Sequence, residues 1–96
     1  MYGGRSFKVR EWLGDGRRSS LDVIADILDT SRGGVKKTHL MYHCNMSFAQ
    51  LEKYLSLILK TRLVVVEDDG PRFFFKTSGK GRRFLKSYES LKALME

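Results

Sequence analysis

The chain has 96 residues, which is enough for one domain. Hydrophobic residues make up 42% of it, so it can bury a small core, and this content argues against disorder over most of its length. Lysine and arginine number 18 against 11 acidic residues, and the formal charge of +7 favours a polyanionic partner.

Other classes are excluded by what the sequence lacks. The single cysteine, Cys44, cannot form an intramolecular disulfide and has no partner cysteines for a structural zinc site. The longest apolar run, Leu63 to Val66, is too short to cross a bilayer, and no apolar signal segment stands near the start. We therefore expect a soluble, basic, cytoplasmic protein without a membrane segment.

Residues 1–19 form an N-terminal extension that is rich in glycine and arginine. Gly14-Asp15-Gly16 indicates a loop. Four apolar residues fit a short helix and a short strand equally well, so both alternatives remain open. They are Phe7, Val9, Trp12 and Leu13.

A first helix is predicted after this extension. Ser20 is its expected N-cap, and Asp22 lies in the first turn, where the helix dipole favours an anion. Gly33-Gly34 is expected to end the helix. Its apolar residues recur at helical spacing and are Leu21, Ile24, Ala25, Ile27 and Leu28.

Two further helices are predicted, separated by a turn at Asn45. The shorter one covers Lys36 to Cys44, with Leu40 and Met41 turned inward. The longer one runs from Phe48 to about Arg62, with Ser47 as its N-cap. Its apolar stripe consists of Leu51, Leu55, Ile58 and Leu59.

A hairpin and a last helix follow. Leu63 to Glu67 is β-branched and predicts a strand, Asp68-Asp69-Gly70-Pro71 a tight turn, and Arg72 to Lys76 a second strand. Thr77 or Ser78 is expected to cap a final helix that ends near Met95.

This order of elements predicts a mainly α fold with a small β-hairpin (α+β), in the order helix-helix-helix-strand-strand-helix. A short helix, a tight turn and a longer helix form a helix-turn-helix, and the hairpin supplies a wing. We divide the chain into the extension 1–19, a winged helix-turn-helix domain 20–77 and a C-terminal helix 78–96.

Several spaced blocks of this sequence follow a known pattern. They are Leu21-Asp22-Val23-Ile24-Ala25-Asp26-Ile27-Leu28, Gly33-Gly34-Val35-Lys36-Lys37-Thr38, Leu40-Met41-Tyr42, Asn45-Met46-Ser47-Phe48, Gln50-Leu51, Tyr54-Leu55, Leu63-Val64, Thr77, Gly79-Lys80-Gly81, Phe84-Leu85 and Tyr88. Together, over about residues 17–92, they resemble the archaeal winged helix-turn-helix family that includes small basic chromosomal DNA-binding proteins and transcription regulators. The resemblance implies binding to double-stranded DNA. It also implies, as in some members, dimerisation through a C-terminal helix that forms an antiparallel coiled coil.

The chain departs from this pattern in two places. Residues 1–16 lie outside it. The last helix stops by Glu96 and is shorter than a long coiled-coil arm.

The third helix is the expected recognition element, because a helix fits the major groove and its N-terminal half meets base edges. With the apolar stripe inward, Ala49, Gln50, Lys53 and Ser56 lie outward. Gln50 can pair with adenine, and Lys53 can reach a guanine or a phosphate. Ser47 can bond a phosphate while it caps the helix. The alternative is that Gln50 and Lys53 are solvated surface residues.

Phosphate contacts are expected at the start of the second helix. Lys36, Lys37 and Thr38 stand there, and the resemblance places Lys37 and Thr38 at a recurring motif position. The sequence is equally compatible with the alternative that Thr38 caps the helix and that both lysines are only exposed to solvent.

The flank of the wing is a further expected contact. Arg72 and Lys76 alternate with the aromatic run Phe73–Phe75, so the bases can face one way and Phe73 or Phe75 the other. Asp68 and Asp69 would be repelled by phosphates at the tip. The three phenylalanines are expected to belong mostly to the core, with at least one facing outward.

The last helix combines a basic start with an apolar face. The basic residues at its start either contact phosphates or are only exposed to solvent. They are Lys80, Arg82, Arg83 and Lys86. The apolar residues Phe84, Tyr88, Leu91 and Met95 have 4-3-4 spacing, which suits a helix partner as well as packing on the same domain. A self-paired helix gives a two-fold homodimer and predicts a palindromic DNA site.

Residues near the turn allow other interpretations. Tyr42 is expected to pack rather than to bond a phosphate, and Asn45 to hold a left-handed conformation. His39 and His43 have the i, i+4 spacing of metal ligands, but no third ligand accompanies them, so we expect no metal site.

No pattern in the chain indicates an enzyme. Gly79-Lys80-Gly81 lacks the spacing of a phosphate-binding loop. We expect no cofactor and no small-molecule ligand. The predicted function is that of a nucleoid-associated transcription regulator that inserts helix 48–62 into the major groove. The alternatives are a nucleoid-organising protein of low specificity and a protein-interaction module that docks through Phe73–Phe75 and the last helix.

Charge placement separates these functions. The DNA-binding interpretation is favoured if the predicted contact residues lie on one face that excludes Asp22, Asp26 and Asp29. These contact residues are Lys37, Gln50, Lys53 and Arg72. Acids on that face favour the interaction module.

Overall fold

The computed structural model describes residues 19–96, so the extension's loop and apolar residues lie outside the described part. Within it the predicted order helix-helix-helix-strand-strand-helix is confirmed. The elements are α1 Ser20–Thr30, α2 Lys37–His43, α3 Phe48–Lys60, β1 Val64–Asp69, β2 Arg72–Thr77 and α4 Gly79–Leu94.

Helix α1 begins one residue earlier than predicted, because Ser19 and not Ser20 is the N-cap. The Ser19 hydroxyl accepts the Asp22 N–H at 3.1 Å, and the Asp22 carboxylate accepts the Ser19 N–H at 3.2 Å. This capping box requires a spacing of three residues, which Ser20 lacks.

The end of α1 was also predicted wrongly, since the helix stops at Thr30 and not at Gly33-Gly34. Buried Ser31 follows, and its hydroxyl donates to the Ile27 carbonyl at 2.7 Å. The Ser31 carbonyl accepts the Thr77 N–H from β2 at 3.0 Å. Tertiary hydrogen bonding therefore ends the helix before the glycines are reached.

Helix α2 is one residue shorter at each end than predicted. Lys36 is its N-cap and Cys44 its C-cap. No side chain caps the start within the described residues, so the alternative in which Thr38 caps the helix is wrong. Asn45 adopts a φ of 54°, which confirms its predicted left-handed conformation.

Helix α3 has the predicted N-cap, Ser47, but ends at Lys60, two residues before the predicted end. Arg62 has a left-handed φ of 62°. The Arg62 N–H bonds to the Leu59 carbonyl at 3.1 Å, and the Leu63 N–H bonds to the Ile58 carbonyl at 2.9 Å. This is a Schellman motif in which arginine stands where glycine is usual.

The hairpin is longer than predicted. Strand β1 begins at Val64, one residue later than predicted, and continues to Asp69, while β2 continues to Thr77, in an antiparallel register from Val64↔Thr77 to Asp69↔Arg72. The turn therefore contains only Gly70 and Pro71, with Gly70 at a φ of 72°. On the other side of β2, Val35 and Phe75 exchange backbone hydrogen bonds of 3.0 and 2.8 Å.

The core lies between the helices and the inner face of the hairpin. Its members from α1 are Val23, Ile24, Ala25, Ile27 and Leu28, and the others are Leu40, Cys44, Leu51, Leu55, Ile58, Leu63, Val64, Phe75 and Leu85. Leu21 was expected to face inward and is 49% exposed. It lies in the first turn of α1, on an open surface that it shares with Tyr88, Leu91 and Met95 of the last helix and its C-cap.

Helix α4 packs on α1 and on the core through Leu85. Ser78 is its cap, accepting the Gly81 N–H at 3.0 Å, which decides between the two predicted capping residues. The helix ends at Leu94, one residue before the predicted end. None of the helices in residues 19–96 has the length and apolar content needed to cross a membrane.

Candidate nucleic-acid interface

The residues predicted to meet DNA bases lie on the solvent-exposed face of α3. Leu51, Leu55 and Ile58 are buried on its opposite side. This packing turns Ala49, Gln50, Lys53 and Ser56 outward, as predicted. Lys53 forms no ion pair within residues 19–96, so its ammonium group is available to an anion.

The side chain of Gln50 is folded back onto the helix start. Its amide oxygen accepts the Ser47 N–H at 3.2 Å and lies 3.3 Å from the Ser47 hydroxyl. In return the Ser47 hydroxyl accepts the Gln50 N–H at 3.2 Å. A bidentate contact with adenine needs both the oxygen and the nitrogen of the amide, so this capping box must open before Gln50 can make it.

The start of α2 is tied to the start of α3 by Lys37. Its ammonium group forms an ion pair with Glu52 and lies 4.9 Å from the centroid of the Phe48 ring. Lys37 is therefore half-buried rather than freely exposed. Lys36 and Thr38 are exposed, and Lys36 forms no ion pair in the described part of the chain.

The outer face of the hairpin carries the predicted wing cations together with acids. Arg72, Phe74 and Lys76 share this face because side chains alternate along β2. Arg72 lies 4.0 Å from Asp69, and Lys76 lies 3.9 Å from Glu67. Each cation thus has a carboxylate beside it, and the flank of the wing is close to neutral.

The three phenylalanines of β2 occupy three different environments. Phe75 is buried, Phe74 is half-buried on the outer face, and Phe73 is 59% exposed near the turn. The expectation that at least one of them faces outward is therefore confirmed, but the expectation that they belong mostly to the core is wrong, because only Phe75 is a core residue.

A second group of cations lies where α3 ends and α4 begins. The Lys80 ammonium group donates to the Thr61 carbonyl at 2.9 Å, and the Ser78 hydroxyl donates to the Arg62 carbonyl at 2.7 Å. We call Lys60, Arg62, Lys80 and Arg83 the basic junction. Sequence reasoning missed Lys60 and Arg62. The signal was present, because Lys60 stands two helical turns after Lys53 on the same exposed face.

The other two predicted cations of α4, Arg82 and Lys86, lie outside the basic junction. One Arg82 nitrogen lies 3.4 Å from the Thr77 carbonyl, so the side chain reaches back to β2. Lys86 is exposed one turn beyond Arg83.

The predicted dimerisation face of α4 divides into two parts. Phe84 and Tyr88 are half-buried and pack against the core of their own domain. Leu91 and Met95 are 53% and 49% exposed. Leu94, which the sequence analysis did not select, is the most exposed apolar residue of this end.

Tyr88 also anchors α4 to the start of α1, since its hydroxyl donates to the Asp22 carboxylate. Burial alone would raise the pKa of Asp22. The hydrogen bonds from Tyr88 and Ser19, with the nearby charge of Lys92, outweigh burial and lower that pKa.

Tyr42 does not pack against the domain, and the prediction that it does is wrong. Its side chain is 83% exposed. Helix α2 has only seven residues, and fully buried Leu40 with half-buried Met41 fills its inward side. Beside Tyr42, the rings of His39 and His43 stack with centroids 5.7 Å apart. Among residues 19–96 no group of three histidine, cysteine or acidic side chains could hold a metal ion.

A short helix, a tight turn, a longer helix and a hairpin that packs beside them define the class of winged-helix proteins. The sequence agrees, because residues 17–96 match the family model of the winged helix-turn-helix. The chain belongs to the winged helix-turn-helix family, as predicted.

Two solved structures share the fold. Sso10a-2, a DNA-binding protein from Sulfolobus solfataricus, matches with a TM-score of 0.72 and 18% identity over 80% of this chain and 81% of that one. Human N-acetylserotonin methyltransferase, solved in complex with SAM, matches with a TM-score of 0.53 and 17% identity. That match covers 66% of this chain but 19% of the methyltransferase. No curated protein sequence matches the chain at a significant level.

Proposed function

We propose that this chain binds double-stranded DNA by inserting the N-terminal half of α3 into the major groove, and that it acts as a transcription regulator. The observation that carries the proposal is the exposed face of α3, on which Lys53 stands without a counter-ion within residues 19–96. The fold relative from Sulfolobus solfataricus is itself described as a DNA-binding protein, which supports the proposal.

Base contacts come from three neighbouring residues of α3. Lys53 reaches a guanine or a phosphate, and the small side chain of Ala49 leaves room for a thymine methyl group. Gln50 contacts adenine once its amide leaves the capping box. A serine hydroxyl at a helix start also suits phosphate binding, so Ser47 binds the backbone when Gln50 turns to the base.

Phosphate contacts flank α3 at both ends. Lys36 and Thr38 bind the backbone beside the N-terminal end, with Lys37 available once Glu52 releases it. The basic junction binds the DNA backbone beside the C-terminal end of α3. Arg72 and Lys76 can exchange their carboxylates for phosphates, because exposed ion pairs contribute only about 0–1 kcal/mol.

We further propose a homodimer formed by the exposed end of α4. Leu91, Leu94 and Met95 present apolar surface there, while Phe84 and Tyr88 stabilise the single domain. A two-fold axis through this end would place two α3 helices on one DNA molecule and predict a palindromic site.

The test is a fluorescence anisotropy titration with duplex DNA at two salt concentrations. A site enriched from a random pool is compared with an unselected duplex. Lys53→Ala should weaken binding to the enriched site by about 1–3 kcal/mol and weaken the unselected duplex less. Arg32→Ala is the charge-matched control, because Arg32 follows α1 and is paired there with Asp29 at 2.7 Å, away from α3 and from the proposed dimer contact.

Equal losses in Lys53→Ala and Arg32→Ala would contradict a specific role for α3. Failure of the protein to bind any duplex at low salt would contradict DNA binding and favour a protein partner instead.

A nucleoid-organising protein of low sequence specificity is the second candidate. One observation favours it: the Gln50 amide oxygen is already occupied by Ser47, which leaves Lys53 as the main polar group facing the bases. Under this function, binding falls steeply with salt, but no motif is enriched from the pool.

A further inference from the structure

The exposed side of α2 carries three aromatic rings that the duplex-binding surface does not use. His39, Tyr42 and His43 follow one another at i, i+3 and i+4, so they share one helix face. The two histidine rings are within 9° of parallel. Tyr42 is 83% exposed, so its ring is accessible to a flat partner.

This helix face continues into an open groove toward β2. Tyr42, His39, Thr38 and Lys36 line one side of the groove and half-buried Phe74 the other, and its volume is about 520 Å³. We call it the α2–β2 groove. It combines flat rings with hydroxyl, imidazole and ammonium groups, which can bond to polar edges and to phosphate.

The electrostatics of the groove favour an anion. None of the residues that line it is acidic. Glu67 stands opposite Phe74 in the hairpin, but its carboxylate is 3.9 Å from the Lys76 ammonium group. Lys36 forms no ion pair within the described residues and therefore contributes an uncompensated positive charge.

We propose that the α2–β2 groove binds single-stranded DNA, with an unpaired base stacked on Tyr42 and its phosphate on Lys36. Aromatic stacking is available only to a base that has left the duplex, since paired bases already stack on one another. The groove therefore gives the protein a further nucleic-acid site for strands that are locally unpaired, which shares Lys36 and Thr38 with the proposed duplex contacts but adds the Tyr42 ring.

The test uses a fluorescent thymidine oligonucleotide of about 15 nucleotides and an abasic strand of the same length and charge. The wild-type protein should bind the thymidine strand more tightly than the abasic one. Tyr42→Ala should weaken binding to the thymidine strand by about 5- to 150-fold, the range expected for one stacked base. It should leave binding to the abasic strand unchanged.

Two further variants make the result specific. Tyr42→Phe retains the ring and should keep most of the affinity for the thymidine strand. Phe73→Ala is the matched control, because it removes an exposed ring from the opposite face of β2 and should leave that affinity unchanged. Circular dichroism confirms that each variant is folded.

The inference is overturned if the wild-type protein binds both strands equally, or if Tyr42→Ala binds the thymidine strand like the wild type. It is also overturned if Tyr42→Phe loses as much affinity as Tyr42→Ala, because the hydroxyl and not the ring would then make the contact. A duplex titration with the same variants keeps the two functions apart. Thymidine binding that depends on Tyr42, without any duplex binding, would uphold this inference and contradict the proposed function.

Discussion

Replacement of Gly81 by alanine should destabilise the fold, although alanine is the better helix former. Gly81 is buried in the first turn of α4, where the helix crosses the start of β1. A Cβ atom at this position would lie 2.2 Å from the Leu63 carbonyl oxygen and 2.6 Å from Thr77 Cγ2. The Leu63 carbonyl is backbone, so the overlap can be relieved only if α4 moves away from β1.

That movement affects two kinds of interaction. Inserting a methyl group into a packed site costs about 1–3 kcal/mol. The Leu63 carbonyl also accepts the Ser78 N–H at 3.0 Å, and weakening this hydrogen bond costs about 0.5–1.5 kcal/mol. The higher helix propensity of alanine returns about 1 kcal/mol. We expect a net loss of about 1–3 kcal/mol in the free energy of unfolding.

Thermal unfolding followed by circular dichroism measures this loss. For a domain of this size, Gly81→Ala should lower Tm by roughly 5–20 °C. Gly79→Ala is the matched control, because a Cβ at Gly79 meets no atom within 4 Å. This control should be neutral or slightly stabilising. Equal Tm values for the two variants would refute the argument from close packing.

Three further predictions concern α3, α1 and α4. Arg62→Gly should raise the free energy of unfolding by about 1 kcal/mol, because it removes the left-handed strain of a side chain; a lower Tm would contradict this. Asp22 has a lowered pKa in the folded state, so its stabilising effect is complete above the unfolded-state value of about 3.9 and is lost as pH falls through the lowered pKa. In urea denaturation, the difference in the free energy of unfolding between the wild type and Asp22→Asn should therefore shrink in acid. A difference that is constant with pH would contradict this stabilising role of the Asp22 carboxylate. Leu94→Glu should shift the protein toward the monomer in light scattering at fixed concentration, and a monomeric wild type or an unaffected dimer would rule out the proposed seam.

The order of the elements could be predicted because local signals agree with the packing. The stripe Leu51, Leu55 and Ile58 has helical spacing, and the same three residues are buried. Ser47 stands three residues before Gln50, and the two form the capping box. Where the pattern and the tertiary contacts coincide, the sequence is sufficient.

The ends of the elements were predicted less well, because distant residues decide them. Helix α1 stops where Ser31 bonds to Thr77, and no local pattern reveals that contact. Helix α3 stops at a Schellman motif built on Arg62, while the glycine signal that sequence analysis relies on is absent there.

The candidate site likewise contains features that could be predicted from the sequence and features that could not. Lys53 could be placed on the outer face of α3 from periodicity alone. The ion pairs of Lys37 with Glu52 and of Arg72 with Asp69 could not be predicted in this way. Each of them joins two different elements, α2 to α3 and β1 to β2. Tyr42 was misjudged because its orientation depends on how much of a seven-residue helix faces the core.

The central claim is that the exposed face of α3 meets duplex DNA, and NMR titration of the ¹⁵N-labelled protein with a short duplex tests it most directly. The largest shift changes should fall on the amides of residues 47–60 and on Lys36 at the start of α2. The amides around Asp26 and Asp29 on α1 should change little. Changes confined to α1 or to the end of α4, or no changes at a saturating DNA concentration, would contradict the claim.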